Sequence, residues 1–197
     1  MIKRIGFVLS ILVIGVALGV GSALFMISRG TMIGAVDNSY WRTSSTIGST
    51  DADPYTRALI ARIGLLGLNQ NETIYYNRTR DDAGDTFDAA CTYRIEGGAM
   101  AARWWSITLY APDNYLAQNG DGAPSIDATS IEGDEQGRWQ ASVSPRRADA
   151  AHWISSKNAD AFSLSLRLYN PEAAIREHMG DVALPSVTRV SCGEGGQ

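Results

Sequence analysis

The hydrophobic pattern of the chain begins with one long uncharged run. Residues 5–27 contain no Asp, Glu, Lys or Arg, and as a helix they would span roughly 35 Å. That length crosses a bilayer, so the run predicts a single transmembrane helix over residues 5–28. A cleaved signal peptide is the alternative, but its apolar region is usually shorter, roughly 7–15 residues. We therefore expect an uncleaved signal anchor.

The charges that flank this run indicate its orientation in the membrane, and the small residues within it indicate a surface for helix packing. Lys3 and Arg4 precede it and Arg29 follows it, which favours a cytoplasmic N-terminus (residues 1–4) and places the rest of the chain outside. Small residues recur at every fourth position and would let a second helix approach closely. Glycine is also common in ordinary membrane helices, so a pairing surface for a membrane-protein partner or a second copy is one of two interpretations. The three candidate packing residues are Gly15, Gly19 and Ala23.

Small and polar residues dominate residues 29–52, which predicts a tether between the anchor and a folded domain. Asp53 and Pro54 then supply an N-cap followed by proline at the first helical position. This sequence predicts a helix from Pro54 to about Leu68. Its apolar positions at helical spacing are Tyr55, Leu59, Ile63 and Leu66.

Beyond residue 70 the apolar positions alternate with a period of two, which predicts β-strands. The acidic segment 81–85 separates the first two strands, over 74–76 and 87–95, and we expect a hairpin there. Alternation is clearest over 162–169, and a short helix is expected to begin at Pro171. Further strands are expected over 104–110, 125–131, 138–143 and 184–190. Residues 53–197 are therefore predicted to form one mainly β domain, a sandwich or jelly roll with one or two short helices.

Composition narrows the function classes. The net charge is −4 and Lys and Arg form no cluster, which argues against nucleic-acid binding. The two cysteines, Cys91 and Cys192, are too few and too far apart for a zinc ribbon. In an oxidising compartment we expect them to form a disulfide that stabilises the fold by up to ~4–5 kcal/mol. Two separate thiols are the alternative.

The soluble part carries no recognisable catalytic motif. His152 and His178 lack metal-ligand spacing, and there is no nucleophile elbow, phosphate-binding glycine loop or dinucleotide fingerprint. We expect no catalytic residue, metal or cofactor. Aromatic rings beside one arginine favour a binding surface instead, although the tryptophans would equally fit a core and the arginine a buried carboxylate. The candidate ligand-binding residues are Trp105, Tyr110, Trp153, Arg167 and Tyr169.

Five segments follow one another in a characteristic order: 105–110, 115–119, 152–153, 162–172 and 184–185. Together they resemble the domain of unknown function 1214 family, over residues 104–190. His152-Trp153-Ile154-Ser155 stands where the family usually has Asn-Trp-Leu-Pro, and Ala111 replaces a common acidic residue. The resemblance implies a β-rich fold in the bacterial cell envelope, in a short, membrane-anchored form, and no mechanism.

Together these features predict a single-pass protein of the bacterial inner membrane with a periplasmic β domain. The leading hypothesis is a non-enzymatic binding or assembly subunit, in contact with the lipid bilayer through residues 5–28. A carbohydrate-binding or glycan-processing domain of the envelope is the alternative, with a glycan or small anion as ligand.

Overall fold

The computed structural model describes residues 2–28, 34–63, 67–147 and 150–193. Within these ranges the chain forms three helices and ten strands. The helices are α1 (Ile2–Ser28), α2 (Pro54–Ile63) and α3 (Ala173–Glu177). The strands are β1 (Ala35–Asn38), β2 (Trp41–Ser44), β3 (Thr73–Arg78), β4 (Cys91–Gly97), β5 (Ala102–Tyr110), β6 (Ser125–Asp127), β7 (Trp139–Ser144), β8 (Trp153–Ser155), β9 (Ser163–Pro171) and β10 (Ser186–Cys192).

The strands form two sheets, which confirms the predicted mainly β fold. The larger sheet has six strands in the order β1-β2-β3-β9-β5-β6, and the smaller has four in the order β10-β4-β7-β8. Neighbouring strands are antiparallel except β7 and β8, which are parallel. One hydrophobic core draws side chains from both sheets, as in a β-sandwich.

Strand β9 lies at the centre of the larger sheet and shows why the sandwich closes. The predicted alternation is confirmed, because Leu164, Leu166 and Leu168 are fully buried in the core. Burying each of these side chains stabilises the fold by about 1.5–3 kcal/mol. Between the sheets, Trp105 of β5 stacks on Trp139 of β7 with ring centroids 4.7 Å apart. The opposite faces of β3, β5 and β9 are left for other contacts.

Helix α1 is long and apolar enough to cross a membrane, as residues 5–27 predict. A signal sequence has the same properties, so the length and composition of α1 fit both. Its end lies beside α2, where Arg62 Nη1 donates a hydrogen bond to the carbonyl oxygen of Ile27 at 3.3 Å. The start of the β domain therefore lies close to the end of the apolar helix.

Helix α2 begins as predicted and ends earlier. The Asp53 carboxylate accepts hydrogen bonds from the backbone N–H groups of Tyr55 and Thr56, as an N-cap does. Hydrogen bonding from the Thr56 side chain lowers the pKa of Asp53. The predicted extension to Leu68 is wrong, because Leu68 is not helical and its N–H donates to the hydroxyl of Tyr75. Leu66, expected on the apolar face, lies outside the described residues.

The predicted tether over residues 29–52 is also corrected. Residues 29–33 lie outside the described residues, but β1 and β2 form a hairpin that extends the larger sheet. Trp41 is 1% exposed, and its indole N–H donates to the carbonyl oxygen of Pro185 at 2.8 Å. Trp41 and Thr43 are buried with Arg42 exposed between them, an alternation that explains how this segment forms a strand.

The hairpin expected around residues 81–85 is only partly present. An isolated bridge between Arg80 and Thr86 closes the acidic turn, but β3 and β4 belong to different sheets. Phe87 is the cause, since it is 1% exposed and packs against Tyr93 and Phe162 in the core. The chain therefore crosses from one sheet to the other immediately after the turn.

The predicted disulfide is confirmed. Cys91 of β4 and Cys192 of β10 are bonded, and they occupy paired positions on adjacent antiparallel strands. The bond joins residues separated by 101 positions in the sequence. It fixes the last strand of the domain to the second sheet.

Candidate ligand-binding groove

A large concave surface lies on the outer face of the six-stranded sheet, opposite the core. It is an open groove of about 890 Å³ that crosses β3, β9 and the end of β5. This volume lies within the usual range for small-molecule sites, roughly 300–1,000 Å³. Its lining residues are Leu68, Tyr75, Asn77, Thr79, Thr86, Tyr110, Ala111, Pro112, Asn114, Ala161, Phe162, Ser163, Ser165, Arg167 and Tyr169.

Strand register explains why these side chains meet. Successive residues of a strand point to opposite faces, so burial of the leucines of β9 directs Arg167 and Tyr169 outward. Tyr75 of β3 pairs with Arg167, and Asn77 pairs with Ser165. Tyr110 of β5 pairs with Ser163 on the other side of β9. Three strands thus bring their outward residues to one surface.

Arg167 lines the groove and is held by two hydroxyl groups. Its Nη1 donates to Thr108 Oγ1 at 3.1 Å, and its Nη2 donates to Tyr110 Oη at 2.6 Å. The guanidinium carbon also lies 5.4 Å from the centroid of the Tyr110 ring, a cation–π distance. A guanidinium has five N–H donors, so these two bonds orient Arg167 while leaving other donors available to a ligand.

The electrostatic character of the groove follows from this one residue. Arg167 is the sole charged side chain among the described residues of the lining. Within the described part of the chain it forms no salt bridge, so the alternative of a buried carboxylate partner is not met there. A chain with a net charge of −4 therefore presents a locally positive concave surface.

One wall of the groove depends on a close backbone contact. Leu68, which is 39% exposed, lies over Tyr75, and its N–H donates to the Tyr75 hydroxyl at 3.1 Å. The carbonyl of Leu68 packs against Gly48, where a β-carbon would overlap it. Gly48 also has a φ of +69°, which favours glycine. Gly48 thus positions the segment that covers Tyr75.

The five predicted ligand-binding residues fall into two groups. Tyr110, Arg167 and Tyr169 line the groove together. Trp105 is 6% exposed and belongs to the core, as the alternative interpretation of the tryptophans allowed. Trp153 lies on β8 in the other sheet, where its indole N–H donates to the carbonyl oxygen of Ser144 at 3.1 Å. Neither tryptophan is therefore part of this site.

The structure gives the positions of the remaining predicted sites but does not test their roles. Gly15 and Gly19 are exposed on α1 and Ala23 is half-buried, so helix pairing through them stays a prediction. The ring nitrogen Nε2 of His152 accepts a hydrogen bond from the backbone N–H of Glu132 at 3.4 Å. Among the described residues, no group of three or more His, Cys, Asp or Glu side chains could hold a metal ion.

Comparison with known families identifies the central part of this fold. Residues 72–173, from the start of β3 to the start of α3, match the family described as a protein of unknown function, DUF1214. The chain belongs to this family. The match contains β3, β5 and β9, so it includes all three strands that form the floor of the groove.

Solved structures share the fold of this DUF1214 chain. The VPA0106 protein from Vibrio parahaemolyticus is 21% identical with a TM-score of 0.65, over 93% of this chain and 45% of that one. A putative uncharacterized protein from Burkholderia cenocepacia is 16% identical with a TM-score of 0.50, over 89% and 42%. The chain thus spans less than half the length of both. A comparison with curated proteins finds no match.

Several groove residues of this DUF1214 domain were missed by the sequence interpretation. Burial of Ile74 and Tyr76 implies that Tyr75 and Asn77 point outward, so alternation in β3 already contained this information. The same argument identifies Ser163 and Ser165 in β9. Leu68, Thr79, Thr86 and Asn114 come from irregular segments, whose contribution depends on tertiary packing.

Proposed function

We propose that this protein is a membrane-anchored binding protein that holds a ligand with an anionic group in the groove of its exported β domain. The observation that carries the proposal is Arg167, which lies in a concave lining with no other charge among its described residues. Its two described side-chain hydrogen bonds go to neutral hydroxyl groups, which orient the guanidinium without neutralising it. Such an arginine is suited to bind a carboxylate or phosphate through paired N–H donors.

Two features support the location. Helix α1 is suited to anchor the chain, and the bond between Cys91 and Cys192 is typical of an oxidising compartment. The charges before α1 favour a cytoplasmic N-terminus and a periplasmic β domain in the bacterial inner membrane. Fusing alkaline phosphatase to the C-terminus tests this orientation, since that enzyme is active only after export. An inactive fusion, with activity from a cytoplasmic reporter instead, would overturn the orientation.

A binding function is favoured over catalysis because the described residues of the groove include no side chain that usually transfers protons near neutral pH. Its described lining has no His, Cys, Asp, Glu or Lys, so the usual general bases and strong nucleophiles are absent from those positions. Serine and threonine hydroxyls are present, but none has a neighbouring base among the described lining residues. Arginine, tyrosine and amide side chains at such a surface bind and orient ligands.

Binding is tested with the full chain in phosphatidylcholine nanodiscs, using three anionic probes of different class: a tri-uronide, palmitate and benzoate. We expect at least one probe to bind, and Arg167→Gln to weaken that binding by at least about tenfold, because a charge-assisted contact is lost. Arg94→Gln is the matched control, since Arg94 is exposed on the outer face of the other sheet. The proposal would be contradicted if no probe bound, or if Arg167→Gln and Arg94→Gln bound the probe with equal affinity.

A further inference from the structure

The shape of the groove indicates an elongated occupant. The groove follows β9 from Tyr169 to Ser163, which pairs with Tyr110 of β5. Six residue steps of an extended strand cover about 20 Å. A compact ion or a single small ring would occupy only part of this length, whereas a chain of several linked units would contact all of it.

The lining offers a row of hydrogen-bonding groups that the protein itself leaves unused. Six neutral polar side chains face the groove, and each has both donor and acceptor capacity. None of them forms a side-chain hydrogen bond with any described residue. They are available to a ligand along the whole length of the groove. The six are Asn77, Thr79, Thr86, Asn114, Ser163 and Ser165.

The row of polar side chains favours a sugar chain over a fatty acyl chain as the elongated ligand. A fatty acyl chain would displace water from the polar row without replacing its hydrogen bonds, which is unfavourable for every group that it covers. A sugar chain carries hydroxyl groups that both donate and accept, so it matches the row. The rings of Tyr110 and Tyr169 add flat apolar surfaces that suit the C–H faces of sugar rings.

From these observations we infer that the ligand is an acidic oligosaccharide, which lies along β9 and places a sugar carboxylate on Arg167. This inference rests on the proposed function and names its ligand class. Arg167 offers a planar fork of N–H groups that matches a carboxylate. No acidic side chain in the described lining repels a negatively charged sugar. The Tyr110 hydroxyl accepts from Arg167, so its own hydrogen remains available to the ligand.

Calorimetric titration of the full chain in phosphatidylcholine nanodiscs tests the inference. The probes are the trimers of galacturonate, glucuronate and mannuronate, the methyl ester of each trimer, and palmitate. The ester keeps the sugar skeleton and removes its charge. We expect at least one tri-uronide to bind, and its ester to bind at least about tenfold more weakly.

Variants locate the contact. Arg167→Gln is expected to weaken tri-uronide binding to the level of the ester, and Arg167→Lys to have an intermediate effect because it keeps the charge without the fork. Asn77→Leu provides a second test that leaves the arginine in place and removes one member of the polar row. We expect it to weaken the acid and the ester by the same factor. Arg94→Gln should bind like the unchanged protein.

The outcomes separate this inference from the proposed function. Palmitate binding that depends on Arg167, with no tri-uronide binding, would overturn the ligand class and leave an anion-binding groove. Equal affinity for acid and ester would overturn the role of Arg167 in both. Failure of every probe, including the benzoate used above, would remove the proposed function itself.

Discussion

Arg78 and Arg167 lie on neighbouring strands of one sheet, but their side chains point to opposite faces. Arg78 is 2% exposed, its Nη2 donates to Asp82 Oδ1 at 2.9 Å, and its guanidinium lies 5.2 Å from the centroid of the Trp41 ring. Burial lowers the pKa of Arg78, and hydrogen bonding to Asp82 acts in the opposite direction. Arg167 lies at a groove and contacts hydroxyl groups.

The two arginines differ in how many partners within the protein contact each guanidinium. Arg78 has a carboxylate, the carbonyl oxygen of Arg80 and the rings of Tyr40, Trp41 and Phe87 around it. The charge of Arg78 is paired within the domain. This pair joins β3 to the turn that leads toward the second sheet. Arg167 is oriented by neutral groups and keeps its charge unpaired among the described residues. The first arginine stabilises the domain, and the second is available for a ligand.

The largest expected effect on stability comes from Arg78→Met, which removes the buried charge and keeps a long side chain. It leaves Asp82 Oδ1 and the Arg80 carbonyl oxygen without their donor. We expect the free energy of unfolding to fall by about 3 kcal/mol, the low end of the usual cost of breaking a buried pair from one side, because the remaining Asp82 side chain is 36% exposed. Urea denaturation of the full chain in nanodiscs, followed by tryptophan fluorescence, measures it. A loss below about 1 kcal/mol would show that Arg78 is not structural.

An intermediate effect is expected for Asp82→Asn. Asp82 Oδ1 accepts from Arg78, and Oδ2 accepts from the backbone N–H of Val187 at 2.7 Å, so this side chain also holds the start of β10. Asparagine has one acceptor oxygen, and its NH₂ group would face one of these donors. Losing a charged hydrogen bond should cost about 1.5–3 kcal/mol.

The control for Asp82→Asn is Asp85→Asn in the same turn. Asp85 pairs with Arg189 at 3.3 Å, but its side chain is 64% exposed. Exposed pairs typically contribute at most about 1 kcal/mol. Equal losses in the two variants would indicate that the turn as a whole, rather than the contact with Arg78, determines stability.

Where hydrophobic and polar residues alternate regularly along a strand, the sequence predicts which side chains face the core and which face outward. Leu164, Leu166 and Leu168 identify the buried face of β9, and Arg167 with Tyr169 must then lie on the other. The long apolar helix, the Asp53 N-cap and the disulfide partners could also be predicted, because each depends on local composition or on the number of cysteines.

Features that depend on pairing between distant segments were not predictable in the same way. The Ser/Thr-rich composition around Trp41 suggests a tether, and only the distant carbonyl of Pro185 explains why this tryptophan is buried. Arg78 follows the same alternation as Tyr76, which would have placed it in the core, yet its partner Asp82 belongs to an acidic turn that was expected only to join two strands of a hairpin. Trp105 and Trp153 were grouped with the groove by residue type, and strand register separates them from it.

The smallest expected effect completes the comparison, because the same substitution is made at the other arginine. Arg167→Met removes a half-buried charge and its hydrogen bonds to Thr108 and Tyr110, and water can reach the Tyr110 hydroxyl because Tyr110 lines the open groove. We expect the free energy of unfolding to change by no more than about 0.5 kcal/mol, as for surface substitutions without a special role. The same urea denaturation in nanodiscs measures it beside Arg78→Met. If Arg167→Met lowered the free energy of unfolding as much as Arg78→Met, both arginines would be structural. The charge of Arg167 would then not be available to a ligand.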